Sequence, residues 1–332
     1  MKLEKAQGLL TARGKKACEV KLKLNRPIVL RRMSGRRTYT ILGSLLVALI
    51  VLELILVYVY HINPGLNVPF LHGSQSPQGP FLNPSGSYPS LPSPVSAPLL
   101  ELYYNFTYNP SLGLVSSKPY SDVYSLQDNL LAAAALYYLN DSRWLKVMNA
   151  IKDNITPSPF LVLLNDSSFG WNFTCPEVEY VKEGPYVLAY VSYVNGSEPL
   201  EWYDFPNYSF LFAIYEAERG HVNLAQQVFS KVIADYWTGY GFKGQKGYYS
   251  SSDLALAVIA WKVLASYNQT FADRYLPLMK SVYNVSSKLQ SPIGGFFSEY
   301  KVVNGTIVPF GDVNTETTSL FTIAFLMGNG TS

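Results

Sequence analysis

Six carboxylates in the C-terminal two thirds of the chain stand at or just before stretches that read as apolar helices: Asp128, Asp204, Asp253, Glu299, Asp312 and Glu316. Tyr203, Tyr248, Tyr249 and Tyr300 accompany them, and Asn129 adjoins Asp128. Two carboxyl groups between aromatic walls are what glycosidic hydrolysis needs, one to protonate the leaving oxygen and one to act as base or nucleophile. Helix N-termini favour such anions through their unpaired N–H groups. The same positions suit a cap or first-turn acid, which describes Asp128, Asp253 and Glu316. Asp312 and Glu299 lie in connecting segments, and with Asp204 and Asp253 they form the candidate catalytic set. Asp128, Glu316, Tyr203, Tyr248 and Tyr300 form the candidate ligand-binding set. Other chemistries lack parts. The three histidines are His61, His72 and His221, two in a Pro-rich tract and one in a helix–helix turn, which removes a Ser-His triad, a His-based lyase and a His-rich zinc site. Nothing beside Cys175 would activate a thiol, and no Gly-rich phosphate-binding motif occurs. No cofactor, no metal and no nucleic-acid partner is expected.

The elements that must position these groups are mostly helical. Asp128–Leu139, Ser251–Tyr267 and Thr315–Met327 are apolar nearly all round, as helices buried on every side are. Val222–Trp237 and Thr270–Leu289 are more amphipathic, and Tyr208–Glu218 forms a hairpin with the first of them across Arg219-Gly220-His221. Alternation of the two kinds predicts inner and outer helices of stacked αα-hairpins. The Gly/aromatic segments 239–249 and 294–300 read as loops closing one end. Around Gly184-Pro185, alternating β-branched residues predict a small β insertion within 160–203. The expected fold class is mainly α, an αα-hairpin toroid (α/α barrel-like) with that insertion and one N-terminal transmembrane helix.

The segments GYGFKG…GYYSSSDLALAVIAW and GGFFSEY…GDVNTETTSLFTIAFL resemble the αα-toroid superfold of six-hairpin glycosidases, some polysaccharide lyases and terpenoid-cyclase-like rings. YNPSLGLVSSKP…YSLQDNLLAAAALYYL resembles the start of the same ring, and the likeness covers about 210 residues. It implies a site on the loop face, at the inner-helix N-termini. Either the N-terminal segment completes the last hairpin or the ring is short.

The N-terminal third has a different composition. Residues 1–38 hold twelve Lys and Arg against Glu4 and Glu19, and the balance beyond residue 60 reverses to fourteen basic and twenty acidic. A basic arm running into an apolar stretch is a topogenic signal, here for a cytoplasmic N-terminus. Ile41–Tyr60, within an expected signal-anchor at 39–61, is long enough for a hydrocarbon core of about 30 Å. Glu53 lies near its middle, where a carboxylate costs roughly 3 kcal/mol and is either protonated or paired. Residues 62–98, with nine prolines and no charged residue, predict an extended stalk before a domain at 99–332. Eleven N-glycosylation sequons follow the stretch and none precedes it: Asn105, Asn140, Asn154, Asn165, Asn172, Asn195, Asn207, Asn268, Asn284, Asn304 and Asn329. Chance would give about three, so the pattern predicts a glycosylated exterior. The two cysteines, Cys18 and Cys175, fall on opposite sides of that topology, which leaves no intrachain disulfide. Dense sequons, few charges and abundant Tyr resemble surface proteins of thermoacidophilic archaea. The expected partners are the lipid bilayer and glycans or surface-layer proteins. Two functions are in play: an envelope-associated binding or structural protein, and a carbohydrate-active enzyme working through paired carboxylates.

Overall fold

The computed structural model describes residues 22–24, 81–82, 91, 93–196, 199–243 and 248–328. The chain divides into two units, residues 1–25 with 79–332 and residues 26–78, and every described residue belongs to the first. Eight α-helices are described: α1 (Ala97–Thr107), α2 (Leu126–Tyr138), α3 (Arg143–Ile151), α4 (Pro206–Glu218), α5 (Val222–Tyr236), α6 (Ser251–Tyr267), α7 (Gln269–Ser286) and α8 (Thr315–Leu326). Helices α2, α4, α6 and α8 form an inner row in the order α4–α6–α8–α2. A 3-10 turn at Pro159–Leu164 touches both ends of the row, α2 and α4.

Burial follows composition. Nearly every residue of α6 and α8 is buried, and the run Ala132–Ala135 lets α2 lie close to its neighbours. The amphipathic helices α3, α5 and α7 pack outside as hairpin partners of α2, α4 and α6. The outer partner of α8 is α1: Tyr103 and Tyr104 hydroxyls bond Thr315 Oγ1 and Ser319 Oγ, each at 2.9 Å. At the other end of α8, buried Lys262 on α6 donates to the carbonyl of buried Met327 at 2.7 Å, giving an unpaired carbonyl at the helix end a partner.

Three small sheets accompany the helices. Strands β2 (Tyr108–Asn109) and β3 (Leu114–Val115) make a short hairpin. In the second sheet β5 (Glu177–Glu183) and β6 (Tyr186–Ser192) are the expected insertion, joined at Gly184-Pro185, with β4 (Val123–Ser125) parallel to β6. Residues 22–24 form β1, parallel to β5. The third sheet joins β7 (Tyr249–Ser250), β8 (Phe296–Val303) and β9 (Thr306–Asn314).

The mainly α toroid is therefore corrected. The molecule is about half helical with 19% strand in three sheets. The segment 294–300, read as a closing loop, begins a long hairpin. Its turn is Asn304-Gly305, with φ of 51° and 75°, and two left-handed central residues match the twist of paired strands. Among the described residues no helix is long and apolar enough to cross a membrane. The expected span at 39–61, with Glu53, and most of the basic arm lie outside the described residues, as does Asn329. Within the expected stalk, Phe81 and Leu82 are buried in the main core, Phe81 against Tyr137 and Trp144. Cys175 is disulfide-bonded, which corrects the expectation of no intrachain disulfide; the other cysteine, Cys18, lies outside the described residues.

Candidate active site

The first turns of α2 and α8 are tied together by the loop residues Ser116 and Ser117, which follow β3. Thr315 N–H donates to the Ser117 carbonyl at 2.9 Å, and Thr315 Oγ1 donates to the Ser116 carbonyl at 2.6 Å. Ser125 N–H donates to Ser117 Oγ at 3.1 Å. Asn129 locks β3 to α2, accepting from Val115 N–H at 2.7 Å and donating to the Val115 and Ser125 carbonyls at 2.8 Å. Neither neighbouring acid is needed as a cap. Ser125 Oγ accepts from Asp128 N–H at 3.2 Å, and Asn314 Oδ1 accepts from Thr317 N–H at 2.8 Å. With the caps filled by Ser125 and Asn314, neither carboxyl has to cap its own helix, and the charge of Asp128 is felt at Glu316.

That pair is the electrostatic centre of the loop face. Burial pushes both carboxyls above the ordinary range. For Asp128 the Ser117 and Ser125 hydroxyls oppose the shift, because each stabilises the ionised form. Glu316 has no such relief, and the charge of Asp128 raises it further. The charge of Asp128 thus opposes ionisation of Glu316. Both residues keep part of their surface open to solvent. Tyr193 from the end of the β insertion and Tyr208 from the first turn of α4 lie against Glu316, sharing a hydrogen bond, and the Tyr208 hydroxyl is pushed up to about 12. Tyr180 and Tyr103 stand on the Asp128 side. Gln127 hydrogen-bonds Tyr193. A carboxylic acid beside a carboxylate, inside a ring of phenols, can donate a proton on one side and accept one on the other.

The remaining candidates are dispersed. Asp253, in the first turn of α6, is buried and has no hydrogen-bond partner among the described residues; burial alone lifts it to about 7. Tyr300 packs near it but is fully buried, its hydroxyl donating to the Tyr240 carbonyl at 2.9 Å and its ring stacked on Tyr249. Its ring therefore offers no surface to a ligand. Glu299 sits across the sheet from Ser250, raised by burial. Asp204 is raised by burial and by Glu201, in a short 3-10 turn. Asp312 is an exposed partner of Lys118 at 2.8 Å. Tyr203 is 51% exposed, and Tyr248 stacks on Phe310 at 4.8 Å with both rings open to solvent. His221 bonds buried Glu216 at 2.6 Å in the turn between α4 and α5. No group of three or more His, Cys, Asp and Glu that could hold a metal occurs among the described residues.

The ranking by sequence position is thus inverted. Two of the three acids that read as capping residues, Asp128 and Glu316, interact, and the two in connecting segments do not join them. Ser117, Ser125, Gln127, Tyr193 and Tyr208 were not singled out. The Ser125-x-x-Asp128 spacing, a capping-box pattern, was the available signal for one of them. Comparison with protein families, curated proteins and solved structures finds no match to this chain. Function must be argued from the site alone.

Proposed function

We propose that this is an exported glycoprotein whose Asp128–Glu316 pair works as acid and base on a carbohydrate, cleaving a glycosidic bond. The observation that carries the reading is the pair itself: two carboxyls in the first turns of adjacent helices, both raised by burial, with the charge of one acting on the other. Glu316, whose ionisation the charge of Asp128 opposes, supplies its proton to the leaving oxygen. Asp128, with two hydroxyls supporting its charge, is the carboxylate that activates water or attacks the anomeric carbon. Tyr193 and Tyr208 wall the site beside the acid.

Surface position supports the exported, glycosylated part of the reading. Of the ten described sequon asparagines, eight are exposed and Asn207 and Asn268 are partly so. Among asparagines outside sequons, Asn129 is fully buried. Residues 41–60 would hold the protein at the cell membrane, with the arm inside. That topology and the β1–β5 pairing exclude each other in one molecule, because Leu22 and Val178 would stand on opposite sides of the bilayer. Carbonate washing of membranes and mass mapping without reduction check the anchoring: retention of the chain in the washed membrane agrees with it, and a Cys18–Cys175 peptide contradicts it.

A glycan-binding role without turnover is the second reading. It draws on the exposed stack of Tyr248 on Phe310, a flat surface of the kind sugar rings lie against. Sugar release from a glycan panel by the full chain separates the two. Release by the wild type that disappears in Glu316→Gln supports hydrolysis, whereas binding by the wild type with no release supports recognition alone.

A further inference from the structure

Between the last turn of α3 and the β insertion, residues 152–170 wrap the outside of the inner row and leave a groove of about 470 Å³. Its walls are largely apolar, with Ile155, Pro157, Leu161, Leu164 and Phe169, and Asp166 supplies a charge at one side. The size is that of a small-ligand site. It lies apart from the carboxyl pair, and none of its lining residues serves that site.

Two sequon asparagines sit on its rim. Asn154 immediately precedes Ile155, and Asn165 falls between the lining residues Leu164 and Asp166. Asn165 ends the 3-10 turn Pro159–Leu164 in a left-handed conformation, φ 59°, with its backbone N–H returned to the turn and its side chain exposed. The two sequons differ in their hydroxyl residue. Thr156 Oγ1 is engaged with the Val191 carbonyl at 2.6 Å, whereas Ser167 stands exposed. Asn165 is the more accessible acceptor.

We propose that the groove is the seat of the protein's own N-glycan, carried on Asn165. The inference rests on the glycoprotein reading above. The modification uses a glycosyl donor with a phosphate leaving group. The bond from the anomeric carbon to Asn165 Nδ2 forms, the carbon–oxygen bond to phosphate breaks, the amide loses one proton, and the phosphate departs with the electron pair. The first sugars then fold back, setting the C–H faces of their rings against Leu161, Leu164 and Phe169, with hydroxyls toward Asp166. A glycan fits the site better than a diffusible ligand for a physical reason. A tether at the rim gives an effective concentration of the order of millimolar, enough to fill a shallow groove through weak contacts. Filling it also covers apolar surface that water otherwise meets.

The test uses the full chain from a glycosylating host, digested in the native state by an N-glycan amidase and followed by peptide mapping. The Asn165 glycan should be released at least tenfold more slowly than that on Asn140, which sits in the exposed α2–α3 turn, and both should be released at one rate after denaturation. Leu164→Ser, at a partly exposed lining position, should speed release at Asn165 and leave Asn140 unchanged. Equal native rates, or an unmodified Asn165 beside a modified Asn140, would overturn the proposal while leaving the glycoprotein reading intact. A chain with no glycan at any site would overturn both.

Discussion

The N-termini of α8 and α6 look alike in sequence and differ in chemistry. Both open a nearly all-apolar inner helix, and both carry an acid in the first turn, Glu316 in one and Asp253 in the other. Glu316 meets a second acid, Asp128, from the neighbouring helix, and two phenols from two further elements. Asp253 meets no hydrogen-bond partner and packs near Tyr300, whose hydroxyl is turned away to a backbone carbonyl. Burial raises both carboxyls. Only the first has a partner with which to divide the labour of acid and base. A buried acid alone is a liability to stability; a buried acid with a second carboxylate is a device for moving protons.

Substitutions that remove one charge at a time break or sharpen this contrast. The largest effect falls on the pair: Glu316→Gln and Asp128→Asn should each lower sugar release at least 100-fold, the usual scale of acid–base assistance. Asp253→Asn should leave release within about threefold, and a loss as large as that of Glu316→Gln would erase the distinction between the two helix ends.

Stability should show the reverse order. Asp253 has its folded-state value raised to about 7 from an ordinary 3.8. Below the unfolded value both states hold the proton and nothing is lost. As pH rises from about 4 to about 7 the unfolded chain ionises first, so folding weakens across that window. Asp253→Asn removes this contribution, while those of Asp128 and Glu316 remain. Thermal melts should therefore show wild type falling behind this variant by roughly 5 °C or more between pH 4 and pH 7. Parallel curves would mean that Asp253 is hydrated in solution.

The smallest effect belongs to the acid that sequence position favoured most. Asp312 and Lys118 form a surface pair with side chains 64% and 50% exposed. Asp312→Asn should change unfolding free energy by less than about 0.5 kcal/mol in denaturant titrations, and release hardly at all. A marked loss of release would return Asp312 to the site.

The reason for that inversion lies in what a single sequence displays. Helices are legible because periodicity is local: Ser251–Tyr267 was bounded to the residue, and Thr315–Met327 and Val222–Trp237 to within one. The β insertion was legible from β-branched alternation around Gly184-Pro185. The β8–β9 hairpin was missed although Asn304-Gly305 between alternating runs announces one, because aromatic Gly-rich texture drew the reading toward a loop. Helix α3 was also missed; nine residues with a strongly two-sided pattern are too short to stand out. The site was the least legible part. Asp128 and Glu316 are 188 positions apart, and what brings them together is the Ser116–Ser117 bridge to Thr315. Sequence position shows that a first-turn acid could cap its own helix. It cannot show that Ser125 and Asn314 already do so.

The central claim is that Asp128 and Glu316 titrate against each other, and it can be tested without knowing the substrate. The carboxyl carbon of Glu316, followed by NMR titration in glutamate-labelled protein, should show a midpoint above the ordinary glutamate range in wild type. In Asp128→Asn that midpoint should move down, because the charge that opposes ionisation of Glu316 is gone. A Glu316 that titrates in the ordinary range, or one whose midpoint ignores the loss of Asp128, would contradict the account.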